Sequence, residues 1–299
     1  MAERIVDAHH HLWLLGGKLR YPWLEHPETI SLGDYSAIRR NYTPQEFRRD
    51  SRGHNVIATV YVEAETDHKQ PLEESAWVTE ANRTHGFPNA IVAHAWIDLP
   101  ESDEVLAGQK KFPLVKGIRT KPVTSKGPGD SVRGQPRSMQ DDKWLKGLAL
   151  LEKHDLSWDM RVPYWHLPEA AEVARMFPNL RIALNHTGNI WDRTPDALKL
   201  WRAGMEALAA CPNVHVKISG LCQPGLAWTL DANRPVIRDT ISMFGADRCM
   251  FASNFPVDGI RASWDYIYRC FEDAVADYSA ADRDGLFAGN ALAFYRIER

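Results

Sequence analysis

The sharpest chemical signal in this 299-residue chain is His9-x-His11, at the end of a short β-branched run. Side chains two apart on a strand point to the same face, so two imidazoles there can grip one metal ion from one side. His186, in Asn185-His186-Thr187-Gly188, closes another such run and would complete a three-nitrogen set. One divalent ion, zinc first, is the cofactor this set suggests. The same imidazoles can also polarise a carbonyl or hold a water with no ion present. An isolated His-x-His is ordinarily a solvated or core-satisfied pair; a third histidine at a second strand end is what raises this one above that reading.

Bringing such residues together takes strands whose ends meet. Strands are expected near Ile5–His10, Val56–Glu65, Ile91–Asp98, Leu114–Lys121, Ser157–Val162, Arg181–His186, Val214–Gly220 and Cys249–Asn254. Helical patterns lie between them, over Pro71–His85, Asp142–His154, Pro168–Phe177, Pro195–Ala210, Pro235–Phe244 and Ala262–Ala276. Several open on a proline, a usual first-turn residue. Strands separated by helix-length connections pair in parallel, and eight of them close a barrel. An open doubly wound sheet would carry a glycine-rich phosphate loop after the first strand, where three histidines stand instead. The expected fold is therefore α/β, a single (β/α)8 TIM barrel spanning 1–299. Two segments exceed a minimal barrel. The long aromatic loop after strand 1, Leu12–Tyr42, reads as a lid because Trp13, Tyr21 and Trp23 follow the histidine strand. The Gly/Pro-rich insertion after strand 4, Pro122–Gln140, reads equally as a surface insertion or a lid.

Alternation then assigns faces. Ile5, Asp7, His9 and His11 should share one. Tyr61, Glu63 and Glu65 oppose Val60, Val62 and Ala64, and the apolar set is expected to pack on the helices. His94, Trp96 and Asp98 oppose Ala93, Ala95 and Ile97. Arg119, Arg161, His186, Lys217 with Ser219, and Asn254 finish strands 4 to 8. Every strand thus ends on a polar residue, and in a barrel these ends converge at the mouth where catalytic groups sit. His94 could donate to a substrate oxygen, or bond Asp98 or backbone. Trp13, Trp23, Tyr164 and Trp191 could floor a sugar or aryl ring; each alone reads more readily as packing than as ligand contact, but from the set at least two are expected to touch the ligand. Trp191 is the best placed, just after His186.

Composition sets the outer bounds. With 36 Lys+Arg against 39 Asp+Glu the net charge is −3, and no basic stripe offers a nucleic-acid footprint. No run approaches the roughly 18 apolar residues of a membrane span. The first residues lack a signal-peptide pattern. Cys211, Cys222, Cys249 and Cys270 form no CxxC pair, which fits reduced thiols. The expectation is a cytoplasmic protein whose partner is a small-molecule substrate, with homo-oligomerisation left open.

Asp7-Ala8-His9-His10-His11-Leu12-Trp13 followed by Arg20-Tyr21-Pro22-Trp23-Leu24 resembles the opening of the "amidohydrolase 2" branch of the amidohydrolase superfamily, TIM-barrel hydrolases that include sugar lactonases and a pyrone-dicarboxylate lactonase. The resemblance runs on through Val115-Lys116-Gly117-Ile118-Arg119, Arg161-Val162, His166-Leu167-Pro168, Leu184-Asn185-His186 and Val216-Lys217-Ile218-Ser219-Gly220-Leu221. It ends with Met250-Phe251-Ala252-Ser253-Asn254-Phe255-Pro256-Val257 and Gly289-Asn290-Ala291-Leu292-Ala293-Phe294-Tyr295. It implies His9, His11 and His186 as metal or water-polarising residues. It likewise implies Arg119, Arg161, His166, Lys217 and the aromatic lid as substrate contacts. Lys116, the one candidate for a lysine bridging two metals, falls opposite Arg119 on the helix face, which argues against a binuclear centre.

One departure matters. Many relatives carry Asp where this chain has Asn254, and an amide cannot serve as general base, though it can orient or ligate. Glu63 is the first candidate for a relocated base, against the alternative of an ion pair with Arg119 or Lys217. Asp258, four residues beyond Asn254, is the second, against the alternative of a helix cap. Asp7 is expected to orient or pack beneath the histidines. The function implied is hydrolysis of a small cyclic ester, the lactone of a sugar acid or related carboxylate. The alternatives are metal-dependent decarboxylation of an aromatic acid and non-catalytic ligand binding.

Overall fold

A computed structural model describes residues 2–26 and 33–298; the middle of the expected Leu12–Tyr42 lid, 27–32, lies outside the described residues. The strands are β1 (Ile5–His10), β2 (Val56–Val62), β3 (Ala90–His94), β4 (Val115–Arg119), β5 (Ser157–Met160), β6 (Ile182–Leu184), β7 (Val214–Ile218) and β8 (Cys249–Phe251). They pair in parallel in chain order from β1 to β8. A helix follows each strand: Pro44–Asp50, Pro71–His85, Ser102–Gln109, Asp142–Lys153, Leu167–Met176, Pro195–Ala209, Leu230–Phe244 and Trp264–Ala274. This is the expected (β/α)8 barrel. Pro235 does not open its helix, which begins a turn earlier at Leu230 because the Thr229 side chain caps the Ala232 N–H.

β8 returns to β1 through a short seam. The Asn254 N–H donates to the His9 carbonyl at 2.8 Å, and the His11 N–H donates to the Phe255 carbonyl at 2.7 Å. Asp7 fastens the same seam from outside. Its carboxylate accepts the Ser253 N–H at 2.8 Å and the Trp264 indole N–H at 3.1 Å, and lies 3.4 Å from the His9 N–H.

Two expectations about faces are corrected here. Between Asp7 and His10, three residues of β1 pass against two of β2, Thr59 to Tyr61. Such a bulge switches the side that following residues face. Asp7 therefore points to the helix layer, while His9 and His11 turn inward. His10 turns outward, bonding Thr59 Oγ1 at 2.8 Å and packing on the Phe47 ring. The second correction concerns β2. Val60 and Val62 do not pack on the helices but line the barrel interior, with Val6, Ala8, Val92 and Met250. Tyr61 takes the helix side, donating to Glu74 at 2.7 Å. Interiors of such barrels are filled in layers by side chains from alternate strands, with branched residues such as valine dominating. The N-terminal end of the interior is plugged by Ala288, Ala291, Phe294 and Tyr295 from the C-terminal segment.

The β2, β6, β7 and β8 strands stop short of the expected limits, and residues just beyond their C-terminal ends leave the extended region. Left-handed φ values occur at Glu65 (55°), His186 (58°), Thr187 (50°), Gly220 (61°) and Asn254 (53°). Non-glycine residues there cost about 1–3 kcal/mol each and tend to gather at functional sites. Every one of these stands at or just beyond a strand's C-terminal end. Replacing Asp7 by Ala strips three buried N–H donors of their acceptor at the seam. The expected loss is about 3 kcal/mol, read as a lowered urea midpoint in equilibrium unfolding.

Candidate active site

At the C-terminal mouth a cavity of about 320 Å³ opens between the strand ends. His11, Arg119, Arg161, His186, Asn254 and Asp258 line it, so six expected site residues from strands 1, 4, 5, 6 and 8 meet in one place. Trp23 and Trp191 supply its aromatic walls. The Trp23 indole N–H donates to the Ala64 carbonyl at 2.9 Å, which ties the loop after β1 to the end of β2.

His9 lies beneath His11 and His186, its ring 5.0 and 4.5 Å from theirs. His11 Nδ1 faces the Val62 carbonyl at 2.8 Å, so that nitrogen holds the proton and Nε2 keeps its lone pair. His186 Nδ1 pairs with Ser219 Oγ at 2.9 Å. Burial, followed by the charge of Arg119, pushes the His11 pKa down to about 3. Burial and neighbouring positive charges hold His9 and His186 well below the usual imidazole value. All three are neutral at pH 7.

The spacing of this trio bears on whether it can hold a metal ion. Two nitrogens about 2.0–2.1 Å from a tetrahedral zinc stand roughly 3.4 Å apart, and His9 Nε2 and His11 Nε2 are 3.3 Å apart. The pair has the right edge length. However, among the described residues no group of three or more His, Cys, Asp and Glu side chains is gathered so as to hold an ion. His9 Nδ1 is also buried with no hydrogen-bond partner, whereas a metal-bound imidazole usually gives its second N–H to one. The tautomers close without an ion: His9 Nε2–H donates to the His11 Nε2 lone pair. The residues fit a hydrogen-bonded imidazole pair with His186 beside it, and not a three-ligand metal centre.

The two candidate bases sit in opposite electrostatic situations. Glu63 is buried, its Oε1 2.5 Å from Arg119 Nε and its Oε2 accepting the Glu65 N–H at 2.8 Å. Burial alone would raise its pKa, but Arg119 and Lys121 overcome that and hold it at about 2. Of the two roles weighed for Glu63, the ion pair with Arg119 is present. Asp258 lines the cavity, and burial pushes its pKa up to about 7 against hydrogen bonds from Asn254 and Cys222. Asn254 Nδ2 donates to Asp258 Oδ1 at 2.7 Å. A carboxylate in place of that amide could not ionise together with Asp258 at such a distance. The amide at 254 and the carboxylate at 258 are therefore one arrangement.

Other expected contacts lie elsewhere. Lys217 is buried in the barrel interior, 2.5 Å from Asp159, which also accepts the Tyr295 hydroxyl at 2.9 Å. Alternation placed it inward correctly, but one layer below the mouth. His166 Nε2 accepts the Ser125 N–H at 2.9 Å and so pins the Pro122–Gln140 segment to the loop after β5. Tyr164 packs edge-on against Trp165 and Trp191. Trp13 is wholly buried, donating to the Arg40 carbonyl at 2.6 Å. His94 is buried and stacked on His68, with burial lowering its pKa to about 4. None of these five lines the cavity.

The cavity also has walls that the expectations missed. Glu65 and Lys121 form an ion pair there, and Asn189, Gly220 and Cys222 complete it. Glu65 and Lys121 each stand two residues beyond Glu63 and Arg119, so continuing the alternation past the strand end would have found them. Asn189, Gly220 and Cys222 follow turns whose geometry no spacing rule gives.

A parallel eight-stranded barrel with ionisable groups at its C-terminal mouth defines a (β/α)8-barrel enzyme. The amidohydrolase family model matches residues 6–297, and the chain belongs to that family. It is 35% identical over 294 residues to an uncharacterised Sinorhizobium fredii protein, covering 98% of each. It is 29% identical over 310 residues to L-fucono-1,5-lactonase of Burkholderia ambifaria, covering 98% of this chain and 96% of that one. A Burkholderia multivorans amidohydrolase crystallised with bound zinc shares the fold at TM-score 0.83 and 24% identity, covering 98% of this chain and 99% of that one.

A Cβ on Gly220 would fall 2.6 Å from the His186 ring, at a backbone φ of 61°. Gly220→Ala must displace His186, and kcat is expected to fall about 100-fold, as for a misplacement of roughly 1 Å. Steady-state kinetics alongside a thermal melt separates this from unfolding.

Proposed function

We propose that this protein hydrolyses a small lactone of a sugar acid or related carboxylate, with Asp258 as the base that activates water. The observation that carries the reading is a buried carboxyl with a pKa of about 7 in the wall of a cavity shared with His11, His186 and Arg119. A base is most effective when its pKa lies near the working pH. The lactonase name of the Burkholderia ambifaria relative, which matches along nearly the whole chain, supports the choice of bond.

In this scheme ionised Asp258 takes a proton from water as the hydroxide forms a bond to the lactone carbonyl carbon. Arg119 and the His186 imidazole face the oxygen on which negative charge develops. The ring C–O bond then breaks, and the proton on Asp258 passes to the departing alkoxide. The products are a hydroxyl and a carboxylic acid on one open chain, and the acid releases its remaining proton to solvent as it ionises to the carboxylate. Glu63 is a positioning residue here, fixing the Arg119 guanidinium through its Nε.

Asp258→Asn is expected to lower kcat by roughly 10²–10⁴-fold with little change in KM, measured by pH-stat titration of acid released from a lactone panel. Unchanged turnover would remove Asp258 from the mechanism. The sign of the pH dependence follows from the same group. Below pH about 7 the carboxyl is protonated and cannot accept a proton, so kcat/KM should fall about tenfold per unit. Above about 7 it should level off, and the Asn variant should lose this limb. Exhaustive chelation is expected to leave turnover intact. Loss of activity that zinc restores would instead make the imidazoles ligands.

A further inference from the structure

We propose that the substrate carries a carboxylate of its own, separate from the ester that is cleaved, and that Arg161 receives it. This rests on the lactonase reading for its reaction, but on a different part of the cavity for its evidence of charge.

Three cations line the mouth on the β4–β5 side, Arg119, Lys121 and Arg161. Two of them have carboxylate partners, Arg119 with Glu63 and Lys121 with Glu65. Arg161 makes no hydrogen bond or ion pair with any described residue, although its side chain is only partly exposed. Asp258, the remaining carboxyl in the lining, belongs to the β8 side and already bonds Asn254. Positive charge is therefore left over at one place, beside His186 and across the barrel from the base. Desolvation lowers the Arg161 pKa to about 10, which still leaves it charged at neutral pH.

A half-buried guanidinium without a counter-ion is costly, and a ligand anion offsets that cost. The guanidinium fork matches a carboxylate in two parallel hydrogen bonds. A ring whose carboxylate meets Arg161 on the β5 side presents its opposite edge toward β8 and β1, where Asp258 and His11 stand. A neutral lactone leaves the cation unmatched and has no such anchor. The charge pattern thus selects both the class of lactone and the direction in which it lies.

The kinetic test compares δ-valerolactone with the same ring bearing a carboxylate, 6-oxotetrahydropyran-2-carboxylate. The wild-type protein is expected to prefer the carboxylated ring by about 100-fold in kcat/KM, the scale of a lost charge pair. In Arg161→Met that ratio should fall towards one, while Arg161→Lys, which keeps the charge, retains part of it. Equal rates on the two rings, or a preference unchanged in Arg161→Met, would overturn the proposal. If neither ring is hydrolysed, the lactonase reading fails, and binding decides the anion site separately. Calorimetry with tetrahydropyran-2-carboxylate against its carboxamide should then show binding of the anion alone, lost in Arg161→Met and partly kept in Arg161→Lys. Equal binding of acid and amide, or of neither, would sink it.

Discussion

His9 and His11 turn into the barrel, His11 reaching the cavity wall, because β1 carries one residue more than β2 between Asp7 and His10. A strand has only two faces, so this single irregularity divides its work. Before it, Val6 and Ala8 fill the barrel interior, and Asp7 anchors β8 and the helix that follows. After it, the imidazoles reach the mouth. A regular strand would satisfy one of these demands and defeat the other. The same seam presents Asn254 beside His9, since the Asn254 N–H is bonded to the His9 carbonyl. Cavity, seam and base position thus share one backbone constraint.

Desolvation sets the charge states once the geometry is fixed. Three clustered imidazoles near Arg119 and Arg161 do not take up a second proton, so they act as neutral dipoles. The acidic groups divide by partner. Glu63 is surrounded by cations and stays ionised far below neutrality, whereas Asp258 has hydrogen-bond donors but no paired cation among the described residues, and titrates near it. Two carboxylates a few residues from strand ends thereby acquire unlike chemistry. That division follows from neighbours, not from sequence position.

Much of this was legible in the chain. Eight strands with helix-length spacers gave the barrel, and the helix over Pro71–His85 agrees to the residue. Polar strand ends marked Arg119, Arg161, His186 and Asn254 as cavity residues. Alternation failed where the backbone stopped being regular. The β1 bulge reversed the face of Asp7, and left-handed residues ended β6 and β8 early. Depth was also hidden, because period two places Lys217 inward without saying how far below the mouth it lies. Pairing was hidden for the same reason: nothing in spacing shows that Glu63 meets Arg119 while Asp258 meets an amide.

The plug of Phe294 and Tyr295 and the sealed Lys217–Asp159 pair make the barrel blind-ended. Whatever arrives must leave by the passage it came in through. On the proposed lactonase reading, opening a ring lengthens the guest and gives it a new negative charge, in a chamber whose wall is already cationic. The departing molecule is thus both longer and better held than the arriving one, and clearing the doorway becomes a toll on every turnover.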